Sequence, residues 1–137
     1  MPAVNLNALP DGHERWAHIP PGVYSGCQLG DFEVAHVRIP GPLDCTEHYR
    51  QAGMPGGVCN CPHYGYVFEG RMRCTYPGTD KADEIASAGD IYYWPAGHAL
   101  VYESATVCFE LNPAAAFHDF AGYGARAAAH TGGDGSP

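Results

Sequence analysis

The feature that most constrains this chain is the run Gly56-Gly57-Val58-Cys59-Asn60-Cys61-Pro62-His63-Tyr64-Gly65-Tyr66-Val67-Phe68-Glu69-Gly70. Cys59, Cys61 and His63 occupy alternate positions and lead directly into an aromatic, strand-like segment. Successive side chains of a strand point to opposite faces, so these three would share one face. Soft thiolates beside an imidazole are transition-metal ligands, with zinc the first expectation. Residues two apart on a strand are separated by about 7 Å and residues four apart by about 13 Å. A single ion held by all three therefore requires a bulge or turn, which Gly56-Gly57 and Pro62 make accessible.

The rest of the chain reads as strands. It has 137 residues, enough for one domain with an ordinary core. Its 18 Gly and 12 Pro, its many aromatics and its low charged fraction of 16% favour short strands joined by turns. We expect an N-terminal arm over 1–15, a β domain over 16–121 and a disordered tail over 122–137. Within the domain, strands are expected at Trp16–Ile19, Val23–Leu29 and Phe32–Ile39, the last with a bulge or two covered faces. Leu43 to Pro55 reads as the longest irregular connection, with one helical turn and the chemically equipped trio His48, Tyr49 and Arg50. Tyr64–Phe68 and Arg71–Tyr76 read as a hairpin around Glu69-Gly70. Ile85–Ser87, Ile91–Trp94, Leu100–Glu103 and Thr106–Leu111 complete the set, and a short Ala-rich helix follows at 114–121. Many short strands without a long helix indicate an all-β barrel or sandwich, whose closure removes exposed edges and leaves an internal pocket.

Charge and hydropathy exclude several partners. A net charge of −8 argues against nucleic acid and against an anionic membrane surface. No apolar run approaches the roughly 20 residues of a membrane span, and no signal pattern opens the sequence, so a cytoplasmic location is expected. There the six cysteines would be reduced, with Cys27, Cys45, Cys74 and Cys108 acting as small buried hydrophobes.

Two spacings carry a resemblance. Gly89, five residues, Pro95, one residue and Gly97 form one; His63, six residues and Gly70 form the other. Together they resemble the two motifs of the cupins, and the chain is similar to small single-domain bacterial cupins over roughly residues 23–112. The resemblance implies a double-stranded β-helix, or jelly-roll, barrel. It puts His63 at the position of a metal-binding glutamate, Cys59 at that of a histidine and Gly57 at that of another, with Cys61 between family positions. The histidine of the second motif would fall at Leu100, and this sequence offers His98 two residues earlier. The family's three-histidine, one-glutamate set is thus replaced by Cys59, Cys61, His63 and His98.

Those ligands suit Zn²⁺ best, with Fe²⁺, Ni²⁺ or Cu as alternatives. An open coordination position would allow catalysis and a closed one would be structural. His48, Tyr64 and Glu110 are the candidate acid–base residues, whereas Tyr66 falls where cupins place an aromatic core residue. We expect a metal-dependent enzyme acting on a small organic metabolite inside the barrel, of lyase, isomerase, cyclase or oxygenase type. The alternatives are a non-catalytic small-molecule-binding cupin with a structural metal, and a metal-free core. Tyr64, Tyr66, Tyr92, Trp94 and Tyr102 are expected to line the cavity, and His48 or Arg50 to anchor the ligand. A homodimer is implied by the resemblance.

Overall fold

The structure is a computed structural model that describes residues 3–134. Nine strands form two antiparallel sheets: β1 (Tyr24–Leu29), β2 (Phe32–Ile39), β3 (Leu43–Asp44), β4 (His63–Glu69), β5 (Arg71–Thr75), β6 (Glu84–Ser87), β7 (Ile91–Trp94), β8 (Ala99–Tyr102) and β9 (Thr106–Pro113). One sheet runs β1-β2-β9-β4-β7 and the other β3-β8-β5-β6. Setting β1 aside, each sheet holds four strands, and β2 to β5 alternate between the sheets, as β6 to β9 do. This is the order of a double-sheet jelly roll, the architecture that the cupin resemblance implied.

Alternation explains the layers. On β4, His63, Gly65 and Val67 are buried while Tyr64, Tyr66 and Phe68 are exposed; on β7, Tyr92 and Trp94 are buried while Ile91 and Tyr93 are exposed. Met72, Cys74, Leu100 and Tyr102 of the smaller sheet face the same core. In β2 the register has no shift, and Val34 and Ala35 are both buried, so the broken alternation reflects two covered faces. The irregularity lies instead in β4, between Val67 and Glu69.

Several local expectations are corrected. Trp16–Ile19 forms turns, not a strand. β4 and β5 do not pair as a hairpin, because Gly70 takes the chain from one sheet to the other. Gly70 has φ +91, and a Cβ there would lie 2.2 Å from the Ala105 carbonyl oxygen, so this corner needs glycine. The arm before residue 16 makes two short 3-10 turns and joins the edge of β1, where Gly26 N–H donates to Pro10 O at 2.9 Å.

The connection after β3 contains helix α1 (Thr46–Gln51). The C-terminal helix α2 (Ala114–Asp134) does not stop at 121, so residues 122–134 are helical. The alanines at 125 and 127–129 sustain it, since alanine is the strongest helix former. Residues 135–137 of the expected tail lie outside the described residues. The first turns of α2 pack on the barrel mouth, with Phe117 stacked on Tyr24 at 5.5 Å between ring centroids. No described helix is long and apolar enough to cross a membrane.

Candidate metal centre and cavity

Cys59 reaches the site through an isolated antiparallel bridge to His98, made by Cys59 N–H to His98 O at 2.8 Å and His98 N–H to Cys59 O at 3.3 Å. The Pro95-Ala96-Gly97 turn, with Gly97 at φ +93, folds the chain after β7 so that His98 faces inward. A bend at Cys61 then brings the chain back, and β4 begins at His63. These turns overcome the extended-strand spacing. Ligand atoms of Cys59, His63 and His98 all lie within 4.8 Å of one another, and all three residues are buried.

Two hydrogen bonds aim the imidazoles. His63 Nδ1 lies 2.5 Å from Asn112 Oδ1, which only accepts, so Nδ1 carries the proton and Nε2 presents its lone pair. That Nε2 is 3.5 Å from Cys59 Sγ. His98 Nδ1 likewise donates to Pro95 O at 2.7 Å, and its Nε2 is buried without a hydrogen-bond partner among the described residues. Tetrahedral zinc with Zn–N near 2.05 Å and Zn–S near 2.3 Å sets ligand atoms about 3.3–3.6 Å apart. The donor set, the 3.5 Å between Cys59 Sγ and His63 Nε2 and the orphaned His98 Nε2 therefore fit a zinc-type ion. Burial drives the His98 pKa down to about 3, helped by the neighbouring His63, so its imidazole is neutral and able to ligate. Burial also raises the Cys59 thiol well above its ordinary range, a cost that a bound cation reverses by stabilising the thiolate.

A row of polar side chains supports His63. Glu33 on β2 pairs in register with Asn112 on β9, and His63 on β4 pairs with Trp94 on β7. The Asn112 bond to His63 joins these pairs across the inner face. The fully buried Glu33 carboxylate accepts from Arg15 at 2.8 Å and lies 3.3 Å from His118 Nε2. One step along the strands, Glu110, Gly65 and Tyr92 form a second row. A Cβ at Gly65 would lie 2.3 Å from the Tyr92 ring, so glycine lets Tyr92 cross β4 and donate its hydroxyl to Glu110 Oε2 at 2.7 Å. The other Glu110 oxygen is 3.4 Å from His63 Nδ1.

The other sequence candidates divide. Cys61 is buried but stands outside the cluster; its Sγ lies 3.4 Å from Pro62 O and it borders a small cleft with Met54 and Phe120. The bend that brings Cys59 to His63 breaks the alternation that would have put Cys61 on their face. Burial raises its thiol pKa to about 12. Tyr64 follows His63 on a strand and so points out, 44% exposed and stacked on Tyr93. Tyr66 also faces outward, so neither tyrosine lines the interior, and Tyr66 is not a core residue. His48 is exposed on α1 at the rim of the main cavity, while Arg50 pairs with Glu47 on the surface. Glu110 points inward and is paired, the condition a buried carboxylate requires. Sequence reasoning missed Asn112, Gly65 and the role of Tyr92 as a donor. Asn112 was within reach: it is two residues from Glu110 on one strand and so shares its face.

The main cavity holds about 810 Å³ between the two sheets and α2, with His63 and Glu110 among its lining residues. Cys59 and His98 lie behind His63 and do not line it.

No protein-family model and no curated protein matches the sequence. Among solved structures, a protein of unknown function from Rhizobium leguminosarum is similar at 21% identity and a TM-score of 0.46, over 81% of this chain and 95% of that one. A Cupin 2 conserved barrel domain protein from Salinispora arenicola is similar at 18% identity and a TM-score of 0.45, over 72% and 82%. A cupin-2 domain containing protein from Shewanella frigidimarina is similar at 12% identity and a TM-score of 0.44, over 80% and 92%. These likenesses are distant, and the jelly roll is established by strand order and register.

Proposed function

We propose that the protein is a metal-dependent enzyme of the cupin type that acts on a small organic molecule in the cavity. Cys59, His63 and His98 hold the ion, with Zn²⁺ first and Fe²⁺, Ni²⁺ or Cu as alternatives. The observation that carries the reading is the convergence of a buried thiol and two imidazoles whose Nδ1 protons are already committed elsewhere. Three protein ligands leave a fourth position for water or substrate. When bound, such an ion polarises a carbonyl or lowers the pKa of bound water. Glu110 is the nearest carboxylate to His63 and faces the cavity, so it is our acid–base residue; Tyr92 holds it in place. His48 at the rim is a second, outer candidate. The reaction classes that fit are lyase, isomerase, cyclase and oxygenase.

The full burial of Cys59 and His98, each 0% exposed, favours a second reading, a structural metal in a non-catalytic small-molecule-binding protein. We also infer a homodimer, supported by the aromatic outer face of the larger sheet, where Tyr64, Tyr66, Phe68, Ile91 and Tyr93 are all exposed. The six free cysteines support a reducing, cytoplasmic setting.

Elemental analysis of purified protein tests the site. One ion per chain is expected, lost in His63→Ala and in Cys59→Ser and retained in Cys27→Ser; retention in a Cys59→Ser/His98→Ala double variant would refute the ligand set. Metal removal then separates the readings. The enzyme reading expects activity and the metal-dependent part of substrate binding to disappear, whereas the structural reading expects only a fall in Tm.

A further inference from the structure

The cavity is lined mostly by apolar side chains. His63 and Glu110 lie at one end, on the inner face of the larger sheet. Exposed His48 and Gln51 of α1 mark the other. Between them the wall is apolar, with Ile39 and Leu100 beside the rings of Tyr24, Tyr49, Tyr102, Phe117 and Phe120. Its volume of about 810 Å³ falls within the roughly 300–1,000 Å³ common for small-molecule sites.

Charge narrows the occupant further. Among the described residues no lysine or arginine lines the cavity, and Glu110 is its single carboxylate. In the metal-free protein, an anion entering this space would give up its hydration and meet a carboxylate instead of a cation.

We propose that the cavity takes an uncharged amphiphile: an apolar body lies against the wall, and a single hydroxyl or carbonyl end reaches His63 and Glu110. The assignment rests on the reading of this cavity as the ligand site and adds the ligand's class. Phosphorylated metabolites and free carboxylates fall outside it.

The test uses metal-free protein, so that it does not depend on the ion. Nile red is bound and then displaced by 1-octanol, octanoate or ADP. The expected result is one displaceable site, with 1-octanol effective at a concentration at least tenfold below octanoate and ADP without effect. Ala52→Trp and Ala127→Trp narrow the cavity from partly exposed wall positions and should each weaken Nile red binding tenfold or more. Tyr66→Ser on the outer face should leave it unchanged. Circular dichroism checks the fold of each variant, and two independent wall positions keep the test decisive. Octanoate displacing as well as 1-octanol, or binding lost in Tyr66→Ser and kept in both wall variants, overturns the proposal. Failure to load metal bears on the proposed enzyme alone, since every arm here is read without metal.

Discussion

Asn112→Ala removes the group that fixes His63. Asn112 is fully buried, and its Oδ1 accepts the His63 Nδ1 proton at 2.5 Å. In the variant, the nearest remaining acceptor for that proton is Glu110 Oε1 at 3.4 Å, already a long contact. Reaching it would turn the ring away from the position in which Nε2 faces Cys59. Loss of a group that orients a metal ligand typically costs 10–100-fold in affinity, or about 1.4–2.8 kcal/mol. The metal-free protein should also lose about 1–3 kcal/mol from the unpaired buried donor, a fall in Tm on the order of 3–10 °C for a domain of this size. Zinc affinity is measured by competition with a chromophoric chelator, and stability by thermal unfolding with and without metal. The expected signature is a larger loss of Tm in the zinc-loaded protein than in the metal-free one. An equal loss in both, with zinc affinity unchanged, would show that Asn112 serves packing alone and refute the orienting role.

Two further outcomes follow from the same geometry. His98 has a pKa of about 3 in the fold against roughly 6.5 unfolded, so between these values the unfolded chain binds the extra proton. Stability of the metal-free protein should be complete above pH 6.5 and fall by several kcal/mol as pH drops toward 3; His98→Gln should flatten that slope in denaturant titrations, and an unchanged slope would contradict the burial argument. In a homodimer packed through the outer sheet, Tyr66→Ser with Tyr93→Ser should weaken association about a hundredfold by sedimentation, since truncated interface aromatics cost roughly 1–2 kcal/mol each; unaltered association would place the interface elsewhere.

The fold was legible wherever side-chain alternation and turn residues agreed. Phe32–Ile39 and Ile91–Trp94 were read with their observed bounds. The pairing of strands was not, because a jelly roll joins strands distant in sequence. Gly70 looked like a hairpin turn and is a corner between sheets, since a glycine at positive φ serves either. At the site, Cys59, His63 and His98 were legible from residue type and spacing, while Cys61 was not separable from them. Only the bend before β4 distinguishes the two thiols, and no residue preference announces it. Tyr64 was misplaced for a simpler reason: it adjoins His63, and consecutive residues of a strand cannot both face inward. The helix beyond residue 121 was missed because the segment over 122–137 is small and polar in composition, although its alanines continue the helix.

His63 connects every part of the site. Its Nε2 faces Cys59 Sγ, its Nδ1 proton is held by Asn112 beside Glu110, and its ring borders the cavity. A divalent ion bound by one thiolate and two neutral imidazoles retains one positive charge. Glu110 is close enough to His63 to feel that charge, and Tyr92 prevents it from swinging into the ligand position. In the proposed enzyme the imidazole at position 63 would bind the ion, and a carboxylate from the neighbouring strand would exchange protons. Glu110→Gln therefore distinguishes the two duties: it should preserve metal stoichiometry, because the amide still accepts from Tyr92, while lowering turnover by the 10²–10⁴-fold typical of a lost acid–base group. Loss of metal in that variant would instead make Glu110 a ligand and return the site to a four-residue, closed centre.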